Sequence, residues 1–128
     1  MQIFLIFFYI LDQCYDQCKE DDLGEFLGAI SPEIWDDGQP SDKSIFDDWQ
    51  KNNLSEKVDA GNIIEKIYDF ISYYEREFDL DFSKTKQWIL AMTDKTIIKK
   101  AYEKAQVMNE KFHYDTGYFK VKRRHGLI

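Results

Sequence analysis

The two cysteines are the residues of this chain whose type and spacing come closest to a reactive pair. Cys14 and Cys18 are four residues apart in a helical pattern, so they share one face of the predicted helix. A disulfide at this spacing would strain the helix, and a zinc site would need two more ligands. His113 and His125 are far away in sequence, so a Cys–His pair would have to form through space. We interpret the cysteines as buried, reduced thiols, which fits a reducing cytoplasm.

Carboxylates are the second candidate for chemistry, because they are concentrated in residues 21–49. That stretch has a single basic residue, Lys43, and these nine acidic residues: Asp21, Asp22, Glu25, Glu33, Asp36, Asp37, Asp42, Asp47 and Asp48. An EF-hand loop beginning at Asp36 would place Gly38 and Pro40 at ligand positions, so the calcium pattern fails. Paired carboxylates could also hydrolyse a glycoside, but among so many acids that pattern has almost no specificity.

Other catalytic patterns are missing from the sequence. The chain has no glycine-rich phosphate loop and no Gly-x-Ser-x-Gly motif. We therefore predict that the protein is not an enzyme, and we predict no catalytic residue, no metal site and no cofactor.

The acidic stretch instead has the composition of a surface that binds a cationic protein. Carboxylates accept paired hydrogen bonds from arginine, a field of them speeds encounter, and a tryptophan among them could anchor the contact. The predicted partner-binding residues are Glu33, Trp35, Asp36, Asp37, Asp42, Asp47 and Asp48. The alternative is that the acidic residues are solvated helix faces and that Trp35 and Trp49 belong to the core.

Charge is divided unevenly along the chain. Residues 1–83 contain twenty acidic and six basic residues, whereas residues 84–128 contain four acidic and eleven basic residues. This polarity indicates either an electrostatic partner or contact between oppositely charged regions, and a homodimer is the alternative that it leaves open. The net charge of −7 argues against nucleic-acid binding.

Residues 1–11, MQIFLIFFYIL, resemble a targeting segment in composition only. A signal peptide requires a basic residue before its apolar run, and this chain has none there. As a helix, the apolar run is also too short to cross the hydrocarbon core of a bilayer, which is roughly 30 Å thick. We predict a helix buried in the core and no membrane association; a dimerisation helix is the alternative. Its amphipathic continuation has Leu11, Cys14, Tyr15 and Cys18 inward and Asp12, Asp16, Lys19 and Glu20 towards water.

Capping residues and helical periodicity predict several further helices. A short helix over residues 23–27 would begin after Asp22 and end near Gly28, a turn follows Ser31, and Ser41 would cap a helix that ends at residues 51–53. A long helix would begin at Ser55 or Asp59 and end near Phe78. Its predicted inner stripe is Ile63, Ile64, Ile67, Phe70 or Ile71, Tyr74 and Phe78.

Two helices are predicted in the last third of the chain. Ser83 would cap a helix that ends near Met92, and Thr93 or Asp94 would cap a final helix that ends near Phe112. The predicted inward residues of the final helix are Ile97, Ile98, Ala101, Tyr102, Ala105, Met108 and Phe112, and its outer lysines are Lys95, Lys99, Lys100, Lys104 and Lys111. Apolar and polar residues alternate weakly over residues 118–122, a pattern that is typical of a short extended segment.

The run from Asp22 to Trp49 resembles a family of small acidic bacterial proteins. The shared features are LGEFLG at residues 23–28, SPEIWDDG at residues 31–38, Asp42, and FDDW at residues 46–49. Proteins of this kind are encoded beside polymorphic or contact-dependent toxins, where they serve as immunity proteins. The resemblance covers under a quarter of the chain and implies no catalytic residues; it implies a cytoplasmic inhibitor with a toxin domain as partner.

These observations together predict a single helical domain over residues 1–128. Its fold class is all-α, a bundle of four to six helices around the hydrophobic N-terminal helix, with a short extended C-terminal segment. We expect a protein-binding module, an immunity protein that neutralises a basic toxin by occlusion through its acidic surface. A self-associating structural domain is the alternative.

Overall fold

The computed structural model describes residues 2–31, 43–52, 58–92 and 95–112 of the chain. These ranges form a single all-α bundle, which confirms the predicted fold class. Its six helices are α1 (Gln2–Cys18), α2 (Asp21–Ile30), α3 (Lys43–Asn52), α4 (Ile63–Phe78), α5 (Ser83–Ala91) and α6 (Thr96–Phe112). The extended segment predicted for residues 118–122, the turn after Ser31, and the caps at Ser41 and at Thr93 or Asp94 lie outside these ranges.

Helix α1 is the centre of the bundle. Every residue from Phe4 to Leu11 is buried, because a helix with apolar residues on all sides can hide them only by being surrounded. It packs against α2, α3, α5 and α6, and the ring of Phe7 contacts that of Phe70 in α4 at 5.5 Å. The predicted core helix is therefore confirmed, and the buried residues 4–11 offer little surface for a dimer contact.

Aromatic rings fill the core on the side of α1 that faces α2, α3 and α4. Phe7 stacks on Trp49 with ring centroids 4.4 Å apart, and Phe26 meets Phe7 edge-on at 6.3 Å. Trp49 in α3 is only 3% exposed. This result agrees with the alternative that Trp49 is a core residue and gives part of the chain's aromatic content a packing role.

Helix α4 carries the predicted inner stripe, with Ile63, Ile67, Phe70, Ile71 and Tyr74 buried. The predicted start at Ser55 or Asp59 is wrong, because α4 begins at Ile63. The carboxylate of Asp59 instead closes the preceding turn by accepting hydrogen bonds from the N–H groups of Gly61 (2.9 Å) and Asn62 (3.2 Å).

The prediction that Phe78 lies inward is also wrong. Phe78 is 56% exposed. It is the last residue of α4, and its ring stacks on that of Tyr74 at 4.9 Å. Asp79 then adopts a left-handed conformation (φ 55°) and ends the helix. Of the two stacked rings, that of Tyr74 is buried and that of Phe78 is exposed.

Both predicted ends of α2, its start after Asp22 and its end near Gly28, are also wrong. The helix continues through Gly28 to Ile30, and Asp22 lies inside its first turn rather than at the cap, where Glu20 stands. Burial of Ile30, which is 1% exposed, outweighs the cost of about 1 kcal/mol for a glycine within a helix.

The final helix, α6, runs antiparallel to α1, since the side chain of Gln13 bonds the carbonyl of Ile97 while Lys104 lies over the ring of Tyr9. Its inward and outward faces agree with the prediction where side chains are described. The buried residues are Ile98, Ala101, Tyr102, Ala105 and Met108, Ile97 is partly buried, and Lys95, Lys99, Lys100, Lys104 and Lys111 are exposed. The Phe112 side chain lies outside the described part.

Candidate functional site

Two of the seven predicted partner-binding residues lie in the part of the chain that the structure describes. Asp47 is exposed on α3. Asp48 is half-buried and accepts a hydrogen bond of 2.6 Å from the hydroxyl of Tyr74, so it also joins α3 to α4. The other five, Glu33, Trp35, Asp36, Asp37 and Asp42, lie outside the described residues.

A groove between α1 and α2 adjoins the predicted stretch, and we call it the acidic groove. It has a volume of about 580 Å³, and Ser31 is among its lining residues. The lining residues are Phe8, Asp12, Tyr15, Asp21, Gly24, Glu25, Leu27, Gly28 and Ser31. Among these described lining residues the charged ones, Asp12, Asp21 and Glu25, are all acidic, and the rings of Phe8 and Tyr15 line the same groove.

The acidic groove owes its shape to two glycines one helical turn apart. A Cβ atom at Gly24 would lie 2.9 Å from Cε1 and 3.1 Å from the hydroxyl oxygen of Tyr15, whereas one at Gly28 would have no atom of the described residues within 4 Å. Gly24 thus lets α2 approach the ring of Tyr15, and Gly28 has space for a methyl group beside the described residues.

This contrast predicts opposite outcomes for two matched alanine substitutions. Gly28→Ala should stabilise the protein by about 1 kcal/mol, the gain in helix propensity. Gly24→Ala brings the same gain but must displace Tyr15, which costs about 1–3 kcal/mol for a crowded site. Urea unfolding of both variants measures the difference, and equal gains would show that the contact with Tyr15 offers no resistance.

Four carboxylates have an internal role that sequence reasoning missed, and we call them the carboxylate cluster: Glu20, Asp22, Glu75 and Asp81. Glu20 accepts hydrogen bonds from the N–H of Lys84 (3.0 Å) and from the N–H (3.0 Å) and hydroxyl (2.8 Å) of Thr85. The prediction that Glu20 faces water is wrong, since it is 8% exposed. Ser83 is the first residue of α5 rather than its cap.

The rest of the carboxylate cluster surrounds the same helix end. Asp22 accepts from the N–H of Asp81 (2.6 Å), and Glu75 accepts from the N–H of Phe82 (2.8 Å) and from the ammonium of Lys86 (2.7 Å). The bond to Glu75 raises the pKa of Lys86. Hydrogen bonds from Ser83 lower the pKa of Asp81. Glu20 and Asp81 therefore satisfy the first three N–H groups of α5, those of Ser83, Lys84 and Thr85. Asp22 and Glu75 instead satisfy N–H groups of the two residues before the helix, so the acidity of the chain is partly structural.

The cysteine pair lies beside this cluster. The Cys14 and Cys18 sulfurs are 3.8 Å apart, and the Cys18 sulfur is 3.9 Å from the Thr85 hydroxyl. Both cysteines are free thiols, and burial followed by the proximity of Cys18 raises the pKa of Cys14 above its ordinary range. A thiol held in its protonated form is a poor nucleophile. The prediction of buried thiols is confirmed for Cys14, whereas Cys18 is half-buried. His113 and His125 lie outside the described residues.

Neither a metal site nor a membrane helix appears in the ranges that are described. There, no three His, Cys, Asp or Glu side chains are grouped so as to hold a metal ion. The same residues include no helix long and apolar enough to cross a bilayer.

Comparison with known proteins adds no relative. No protein family, curated protein or solved structure matches the chain.

Proposed function

We propose that this chain is a protein-binding module that neutralises a cationic partner by occlusion rather than by catalysis. The observation that carries the proposal is the acidic groove, where Asp12, Asp21 and Glu25 border the ring of Tyr15. The resemblance of residues 22–49 to immunity proteins supports a more specific role. In that role the partner is the basic domain of a bacterial toxin, and inhibition takes place in the cytoplasm.

The groove chemistry suits a lysine or arginine side chain of the partner. The aliphatic part of such a side chain can lie on Phe8 and Leu27, while its charged end reaches the carboxylates of Asp21 and Glu25. The Tyr15 ring already attracts one cation, since the ammonium of Lys19 is 5.1 Å from its centroid, and a cation of the partner would have to displace Lys19 to use the same ring.

The proposal also includes acidic residues that lie beyond the groove. Ser31 lines the groove, and the predicted binding stretch follows it in the sequence. Helix α3, which carries exposed Asp47, packs against α2. A larger acidic surface accelerates encounter with a basic protein and makes binding sensitive to salt.

A capture experiment tests the proposal. The immobilised protein is exposed to a lysate of its source at low and moderate salt, and the affinity of any retained basic protein is then measured. The triple variant Asp21→Lys, Glu25→Lys, Asp47→Lys should lose about tenfold or more in affinity, since each exposed ion pair contributes up to about 1 kcal/mol. A second variant, Asp36→Lys, Asp37→Lys, Asp42→Lys, tests the predicted stretch separately.

A matched control is available on α4. The variant Glu65→Lys, Asp69→Lys, Glu77→Lys also reverses three exposed acids, and Glu65, like Asp21, lies in the first turn of its helix. It should keep nearly full affinity. If the control loses as much affinity as both acidic-surface variants, binding depends on net charge alone and the acidic groove is not the interface.

Self-association is the second candidate, and the exposed lysines of α6 favour it. Lys95, Lys99, Lys100 and Lys104 are exposed along α6, with the exposed Glu103 among them, and these lysines are opposite in charge to the acidic groove of another copy. Light scattering at low salt distinguishes the two functions. A species that grows with protein concentration and dissociates in salt would support self-association, whereas a monomer throughout would exclude it.

A further inference from the structure

A second groove lies between α1, α5 and α6, and we call it the lysine-edged groove. It has a volume of about 640 Å³, within the range of known binding sites. Its apolar wall comprises Trp88, Ala91, Met92 and Ile97, and Lys100 and Lys104 form one edge. The groove therefore combines an apolar surface with two cations that are one helical turn apart.

Contacts inside the bundle hold the groove open. The side-chain amide of Gln13 donates to the carbonyl of Ile97 at 3.0 Å and to that of Tyr9 at 3.1 Å, which fixes α1 against the start of α6. The ammonium of Lys104 lies 5.7 Å from the ring centroid of Tyr9. A ligand would thus meet an apolar wall that the packing of α1 and α6 already positions, beside the ammonium of Lys104, which lowers the entropic cost of binding.

We propose that the lysine-edged groove binds an acidic peptide segment of a partner protein, with a large apolar side chain between two carboxylates. The apolar side chain would lie on Trp88 and Met92, and the carboxylates would pair with Lys100 and Lys104. The α1 side of the groove also carries Asp16 and Gln17, whose carboxylate and amide groups can hydrogen-bond a peptide backbone.

Charge favours a peptide over a nucleic acid as the occupant. Stacking on Trp88 beside two lysines would also suit a single-stranded nucleic acid. However, Asp16 on the α1 side and the net charge of −7 would repel a polyphosphate chain along its length, whereas a short peptide can confine its carboxylates to the edge with Lys100 and Lys104.

This inference is independent of the proposed binding of a basic partner, because the residues that line the two grooves are different and the ligands are opposite in charge. It shares Lys100 and Lys104 with self-association only, which light scattering detects separately. One protein could therefore hold a basic partner in the acidic groove and an acidic segment in the lysine-edged groove. Variants in either groove can be tested without altering the other.

Selection from a random peptide library against the full-length protein tests the inference. Selected peptides should be enriched in large apolar residues adjacent to Asp or Glu, and binding should shift the NMR signal of the Trp88 indole N–H. The variant Lys100→Glu, Lys104→Glu should weaken binding about tenfold or more. The variant Lys95→Glu, Lys99→Glu, which makes the same change in charge on the same helix, should keep most of the affinity.

Three results would overturn the inference. The first is a selection that yields no acidic, apolar peptides. The second is equal loss of affinity in the two lysine variants, which would indicate attraction to the exposed lysines of α6 as a whole. The third is displacement of the peptides by a mixed-sequence single-stranded oligonucleotide at comparable concentration, which would assign the groove to nucleic acid instead.

Discussion

Replacing Phe7 by alanine should reduce the free energy of unfolding by about 3–5 kcal/mol, the usual cost of removing a buried aromatic ring. Phe7 is fully buried in α1, and its ring contacts those of Phe4, Phe26, Trp49 and Phe70. These partners come from four different helices, so they cannot close the cavity by a single movement. Since small domains are stable by about 5–15 kcal/mol, the loss is a large part of the total.

Urea unfolding followed by circular dichroism measures the effect of Phe7→Ala. Phe78→Ala is the matched control, because Phe78 is mostly exposed and stacks on Tyr74 alone among the described ring pairs; it should cost less than about 1 kcal/mol. If Phe7→Ala does not fold, Phe7→Leu keeps most of the volume and gives a measurable fraction of the loss. Equal costs at Phe7 and Phe78 would contradict the aromatic core described above.

The helices could be predicted because each depends mainly on its own pattern of apolar residues. Ile67, Phe70, Ile71 and Tyr74 are at spacings that place them on one face, and that face is buried. The fully apolar run in α1 likewise had to be enclosed. Burial of such stripes requires no knowledge of which element covers them, so the fold class followed from the sequence.

Helix ends were harder to predict because contacts distant in sequence decide them. Gly28 has the residue type of a helix C-cap, but α2 continues to Ile30 because Ile30 is buried against the rest of the bundle. Ser83 resembled a cap, yet the N–H groups that follow it bond to Glu20, more than sixty residues earlier. Rules that consider only neighbouring residues in the sequence cannot predict a hydrogen-bond partner so distant along the chain.

The candidate site was predicted less completely than the fold. Composition directed attention to the acidic residues, but it could not separate those that point outward, such as Asp47, from those that satisfy the backbone, such as Glu20. The lysine-edged groove was also missed, because Trp88 and Lys104 meet only when α5 and α6 pack beside α1. The spacing of residues along one helix carries no information about a groove that forms between three helices.

Glu20→Gln should destabilise the protein by about 2–4 kcal/mol, although it replaces one polar side chain by another of the same shape. The carboxylate accepts three hydrogen bonds from Lys84 and Thr85, and bonds to a charged group contribute about 1.5–3 kcal/mol each. An amide presents its NH₂ group to at least one of these donors and lacks the charge that favours a helix N-terminus. The effect should therefore be larger than that of an exposed cap, which is typically about 1 kcal/mol.

Two measurements separate this role of Glu20 from a general effect of its charge. Asp21→Asn removes the neighbouring, exposed carboxylate and should cost less than about 1 kcal/mol. Thr85→Val keeps the shape of a buried side chain and both backbone bonds but removes the hydroxyl donor, so its cost should lie between those of Asp21→Asn and Glu20→Gln. Hydrogen exchange at the amides of Lys84 and Thr85 should accelerate in Glu20→Gln more than elsewhere in α5. Unchanged protection there would mean that Glu20 does not hold the start of this helix, and that α5 depends instead on its packing against α1 and α4.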